Sequence, residues 1–98
     1  MPQIFAVTLT RGPMFKAALP LEEQADWRAH ADFMNALHTE GFVHLGGPLK
    51  HTQDVLLIVR AEDASHIEAK LATDPWSKQD LLRIKQIVPW DIRLGAVE

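Results

Sequence analysis

The spacing of apolar residues along this chain predicts four strands and two long helices. Strands are expected where apolar and β-branched residues concentrate, at residues 3–10, 42–45, 54–60 and 82–94. Helices are expected at residues 21–40 and 62–73, with one further turn at 75–80. Gly41 follows the first helix, where a C-terminal cap belongs. Residues 11–20 contain a glycine and two prolines and are expected to form a loop.

This β-α-β-β-α-β order predicts an α+β fold of the ferredoxin-like type, an antiparallel sheet with both helices on one face. The strands at 3–10 and 54–60 are apolar at both alternating sets of positions, which indicates that both sheet faces are buried. The simplest cover for the second face is another copy of the same sheet, so we expect a homodimer. Internal repeats and low-complexity linkers are absent, so residues 1–98 are expected to form a single domain.

Composition narrows the function classes. The chain has 98 residues, a formal charge of −3 and no cysteine. The lysines and arginines are scattered rather than gathered into a basic stripe, so we expect no nucleic-acid partner. Thiolate catalysis and cysteine-based zinc sites are excluded. No apolar run is long enough to span a membrane, and the first ten residues predict a strand rather than a basic leader. We therefore expect a cytoplasmic protein without a membrane partner.

One histidine stands out on the first predicted helix. At 100° per residue, His30 falls near the middle of an apolar arc that includes Trp27, Met34 and Leu37. A lone histidine there is most often a core residue satisfied by one hydrogen bond. The alternative is a general acid–base group in a dry pocket, which needs a partner to orient it.

The best candidate partner is Asp74, in the segment ATDPW. Its local interpretation is a helix N-cap, because Asp followed by proline at the first helical position is a favoured helix start. The two roles are compatible, since a carboxylate has two oxygens.

Two other features have both a structural and a functional interpretation. The segment Gly46–Leu49, GGPL, is either a plain turn or a place where a ligand approaches the backbone closely. Trp76 fills the core or lines a pocket, and the core is the commoner outcome. The remaining histidines lack metal-ligand spacing, so neither a metal nor another cofactor is expected.

Taken in order, the segments WRAHADFMNALHTEGFVHLGGPL, VLLIV, ATDPW and IVPWDIRL resemble the YCII-related family over almost the whole chain. The resemblance implies a dimeric α+β barrel of ferredoxin-like protomers, related to muconolactone isomerase-like proteins. It also implies a cleft with a histidine–aspartate pair, and the residues of this chain that correspond to the pair are His30 and Asp74. Many relatives carry a second histidine three residues after the first, where this chain has Phe33.

The resulting hypothesis is a cofactor-independent lyase, of the dehydrochlorinase kind, or an isomerase. His30 would move a proton on a small cyclic substrate, aromatic or lactone-like, and Asp74 would fix its tautomer. The expected substrate-binding residues lie in the first loop, in the glycine segment and in the sequence DPW that follows the second helix: Arg11, Phe15, Gly46, Gly47, Pro48, Leu49 and Trp76.

Three rival hypotheses share the same fold. A non-catalytic dimer would bind a small molecule in the same pocket without turnover. A structural or regulatory dimer would use the histidine–aspartate pair only for stability. A cofactor-free oxygenase of the dimeric barrel type would consume oxygen with electron-rich phenols.

Overall fold

A computed structural model describes residues 2–97 of the chain. Four strands and three helices follow one another in the order β1 Gln3–Arg11, α1 Trp27–Thr39, β2 Val43–Pro48, β3 Asp54–Ala61, α2 Ala64–Leu71, α3 Pro75–Lys78 and β4 Leu82–Pro89. A short 3-10 turn, Leu21–Glu23, precedes α1. The predicted order of elements is therefore found, with the expected extra turn at 75–80 present as α3.

The strands form one antiparallel sheet in the order β2-β3-β1-β4. Alternate residues of the two central strands enter the core, and with them side chains from all three helices. The helices thus cover one face of the sheet. The structure is an α+β fold that is compatible with the ferredoxin-like arrangement.

Helix α1 begins six residues later than its apolar pattern predicts. Residues 21–23 form the separate turn, and Asp26 adopts a left-handed conformation with φ of 54°. The reason lies in Gln24, whose buried side chain bonds to the backbone of the first loop at Lys16 and Leu19 and so does not continue a helix face.

The C-terminal end of α1 is as predicted. Gly41 has φ of +85°, its N–H donates to the carbonyl of His38, and the N–H of Phe42 donates to the carbonyl of Leu37. This pair of bonds is the Schellman motif, which uses a residue in the left-handed region to satisfy the last carbonyls of a helix. Phe42 and Leu37 also meet in the core, so the cap sets the direction in which the chain enters β2.

Strand β2 continues through the glycines instead of stopping before them. Gly46 is paired with Leu57 and Gly47 with Leu56 of β3. A Cβ on Gly46 would lie 2.7 Å from the Cδ2 atom of Leu57, whereas a Cβ on Gly47 would meet nothing within 4 Å. The prediction of a strand ending at residue 45 was wrong because the long apolar strand β3 offers a partner for the whole segment.

Strand β4 ends at Pro89 rather than at residue 94. A register shift opposite Thr8 and Leu9 changes which residues face the core, so that Ile87 packs against it and Val88 does not. The apolar residues at even positions from 82 to 94 predict one buried face along the whole segment, and this prediction is wrong because a bulge exchanges the two faces of a strand. β4 lies at the sheet edge, where Pro89, which has no backbone N–H, is tolerated.

Candidate active site

His30 and Asp74 meet although 44 residues separate them along the chain. The Nδ1 atom of His30 lies 3.0 Å from one carboxylate oxygen of Asp74 and 2.9 Å from the other. Both residues are buried, His30 to 9% exposure and Asp74 to 2%. Because an ionised carboxylate only accepts hydrogen bonds, Nδ1 is the nitrogen that carries the proton in this contact.

Asp74 also caps helix α3. Its Oδ1 atom accepts a hydrogen bond of 3.0 Å from the backbone N–H of Trp76, and Pro75 occupies the first turn of the helix. The two interpretations of Asp74 that the sequence leaves open are thus present together. The cap fixes the carboxylate, and the fixed carboxylate orients the imidazole.

The ring of Trp76 lies flat against the imidazole of His30. The two ring centroids are 3.9 Å apart, and the planes differ by 3°. The indole N–H of Trp76 donates to the carbonyl of Ala25, just before α1, over 2.6 Å. Trp76 is 1% exposed and belongs to the core. It is therefore a core residue and a pocket residue at once, and its stacking removes the rotational freedom of the imidazole.

The second imidazole nitrogen of His30, Nε2, is left for other chemistry. Nε2 has no hydrogen-bond partner among residues 2–97. Every side-chain nitrogen and oxygen that is shielded from solvent in that range does have a partner, so Nε2 is not one of the shielded atoms. Nε2 is therefore accessible rather than enclosed. His30 lines a cavity of about 570 Å³, a size that suits a small-molecule site.

The cavity lies between α1 and the strand ends that surround the first loop and the β2–β3 turn. The lining includes seven of the nine residues named from the sequence: Arg11, Phe15, His30, Gly46, Gly47, Pro48 and Trp76. Asp74 lies behind the imidazole. Leu49 is outside the lining, and its N–H donates to the carbonyl of Asp54 within the turn, so it offers no free amide.

Arg11 and Phe15 form one wall of this cavity. The guanidinium carbon of Arg11 lies 4.3 Å from the centroid of the Phe15 ring, a cation–π contact. The rings of Phe15 and Trp76 are in turn nearly perpendicular, with centroids 6.2 Å apart. The loop that follows β1 is thus tied to the histidine–aspartate pair through aromatic contacts.

Met34 and His38 are among the lining residues of α1 that the sequence interpretation did not name as site residues. Both follow His30 at intervals of four residues, so helical spacing was the signal that identifies them. The imidazole of His38 is oriented by a hydrogen bond of 2.9 Å from Nδ1 to the carbonyl of Val43.

One acidic residue, Asp54, borders the cavity within the described chain. Its carboxylate accepts a hydrogen bond of 2.9 Å from the ammonium of Lys85. This bond, with a second from Thr10, lowers the pKa of Asp54 below its ordinary value. The charge of Asp54 is therefore already balanced by a neighbour.

No group of three or more His, Asp or Glu side chains in residues 2–97 is placed to hold a metal ion. None of the helices in this range combines the length and the apolar character that a membrane span needs. The chain matches no protein-family model, no curated protein and no solved structure. The case for a function therefore depends on the geometry of the site.

Proposed function

We propose that this protein is a proton-transfer enzyme, a lyase or isomerase that acts on a small cyclic molecule, aromatic or lactone-like. The observation that carries the proposal is the imidazole of His30, which is held by Asp74 at Nδ1 and has Nε2 accessible at an open cavity. A general base needs this arrangement, because one nitrogen must be fixed while the other reaches the substrate.

In the proposed reaction Nε2 of His30 removes a proton from the bound substrate. The imidazolium that forms is stabilised by the carboxylate of Asp74, which is 2.9 Å from Nδ1. The same Nε2–H then returns the proton to another atom of the substrate, or to a leaving group. Stacking on Trp76 keeps the imidazole in place through both steps.

Developing negative charge on the substrate needs a hydrogen-bond donor. β2 is an edge strand, so the sheet leaves some of its amides unpaired. Gly46 and Gly47 of this strand line the cavity. A Cβ on Gly47 would meet nothing within 4 Å, so a substrate can approach the backbone there, and we include the backbone of this segment in the proposed site.

We further propose that the protein is a YCII-related homodimer of the α+β barrel type. On the sheet face away from the helices, cross-strand pairing sets Leu45, Ile58, Ala6 and Val88 side by side across all four strands. Leu45 is 64% exposed and Val88 is 40% exposed. Ile58 is only 5% exposed in the single chain, so a second copy would remove from water mainly the two ends of this apolar row.

The dimer is tested by light scattering on the purified protein at micromolar concentration. We expect Val88→Glu to yield monomers, because it places a charge within the apolar row, and Met14→Glu in the exposed first loop to remain dimeric. A wild-type monomer would contradict the proposal.

One observation favours a second candidate, a dimer that binds a small molecule without turnover. Asp74 caps α3 and Trp76 is a core residue, so the contacts of His30 also serve the fold. In this alternative the pair only builds the cavity wall.

Deuterium incorporation separates the two candidates without knowledge of the natural substrate. A panel of lactones, cyclic ketones and hydroquinols is incubated with the protein in D2O, and exchange at carbon is followed by NMR. We expect exchange for at least one class of compound and a loss of about 10²- to 10⁴-fold in His30→Gln. His66→Gln, an exposed histidine on α2, is the matched control and should behave as wild type. Exchange that survives in His30→Gln would refute the proposed role.

A further inference from the structure

The arginine on the cavity wall has an unusual setting. Arg11 is half-buried, and within residues 2–97 its guanidinium makes no ion pair and no side-chain hydrogen bond; its contact is with the ring of Phe15. A guanidinium carries five hydrogen-bond donors, and leaving a partly buried charge without a partner is costly. Arg11 is therefore a positive group that still lacks its counter-charge.

The one acidic lining residue does not supply that counter-charge. On β1, Thr10 is paired with Asp54, whereas Arg11 is paired with Leu82, a residue of the core. Because successive strand residues point to opposite faces, Arg11 faces the helices and Asp54 faces away from them. Asp54 is in addition occupied by Lys85.

The aspartate of the pair is occupied as well. Its Oδ1 atom accepts from His30 and from the backbone of Trp76, and its Oδ2 atom accepts from His30. The cavity thus contains a fixed positive charge and no available carboxylate among the described residues. The remaining walls are largely apolar, with aromatic surface from Phe15 and Trp27.

From these observations we infer that the cavity takes a planar, apolar-bodied carboxylate, with the carboxylate on the guanidinium of Arg11 and the ring system against the aromatic wall. The planar fork of arginine matches a carboxylate with two parallel hydrogen bonds. The inference rests on the proposed function, since it treats the cavity as the substrate site. It narrows the substrate class to anions.

The test compares 2-naphthoate with the uncharged, similarly shaped 2-naphthamide by isothermal titration calorimetry. We expect the wild-type protein to bind naphthoate about tenfold or more tightly than naphthamide. Arg11→Met should abolish this preference and change naphthamide binding by no more than about twofold. Arg28→Met, which removes an exposed arginine on α1, is the matched control and should bind both probes as wild type. Arg11→Lys should retain part of the preference, and circular dichroism checks that each variant is folded.

Equal affinity for the two probes, a preference that survives in Arg11→Met, or no binding of either probe would overturn the inference. His30→Gln separates it from the proposed function. If carboxylate preference persists in that variant while deuterium exchange is lost, both proposals stand. If the wild type shows the preference but never exchanges deuterium, the anion site stands and the proton-transfer proposal fails.

Discussion

Replacing Asp74 with alanine is the perturbation that best tests how the pair is built. The variant loses the N-cap of α3, worth about 1 kcal/mol. It also leaves a buried imidazole N–H without an acceptor, which costs about 1 to 3 kcal/mol. We therefore expect the free energy of unfolding to fall by about 2 to 4 kcal/mol.

The matched control is Asp63→Ala. Asp63 caps α2 by accepting a hydrogen bond of 2.8 Å from the N–H of His66, but its side chain is exposed and has no buried histidine to orient. This variant should lose about 1 kcal/mol, so the difference between the two variants reports the contact with His30.

Equilibrium unfolding in urea, at one protomer concentration for all variants, measures these differences. Asp74→Asn should fall between wild type and Asp74→Ala, because an amide oxygen in place of Oδ1 still accepts from Trp76 and His30, whereas the amide nitrogen in place of Oδ2 cannot accept from His30. Equal losses in Asp74→Ala and Asp63→Ala would refute the reasoning, since the buried contact would then add nothing to stability.

Two further predictions concern the edges of the cavity. Gly46→Ala should lower stability by about 1 to 3 kcal/mol, because the new Cβ meets Leu57 at 2.7 Å, whereas Gly47→Ala should be nearly neutral; thermal unfolding of both variants checks this. The lowered pKa of Asp54, caused mainly by its hydrogen bond from Lys85, means that the folded state favours the ionised carboxylate. The stability that Asp54 contributes is fully present at a pH above the ordinary pKa of 3.8 and is lost as the pH falls through the lower folded-state pKa. Lys85→Met should therefore lose less stability on acidification than wild type, as measured by urea unfolding across that pH range.

Much of the fold was predictable because it depends on local patterns. The apolar arc of α1 placed His30 on the buried side, and Gly41 marked the helix end through its left-handed conformation. The first turn of the predicted helix was not predictable from these patterns. It depends on the side chain of Gln24, which bonds to a loop that precedes it in the chain.

The strand errors have a common physical origin. Both β2 and β4 contain a register shift, and a shift of one residue exchanges the core face and the open face of a strand. Whether a bulge forms depends on the pairing partner. The alternation of apolar and polar residues within one strand gives no information about that partner. Gly46 and Gly47 are strand residues because they pair with Leu57 and Leu56 of β3, which the local sequence around the glycines does not show.

The residue types at positions 30 and 74 made a contact between His30 and Asp74 a reasonable hypothesis, but the sequence alone did not establish this contact. His30 was as compatible with a satisfied core position as with a site, and Asp74 had a sufficient local explanation as a cap. The expectation that they meet came from the resemblance inferred from sequence segments, whereas their distance of 3.0 Å comes from the structure. Their contact depends on how α3 packs against α1.

The origin of the site residues suggests how this cavity can vary. Asp74 and Trp76 reach His30 through contacts between α1 and the segment at α3, and Trp76 is tied to the carbonyl before α1. The wall that would recognise a ligand comes instead from strand ends and the first loop, with Arg11 and Gly46 among its residues. Apart from the contact between Phe15 and Trp76, the imidazole of His30 and this wall are therefore held by different contacts. Substitutions at the strand ends should therefore change which molecule binds while leaving the imidazole oriented by Asp74 and Trp76.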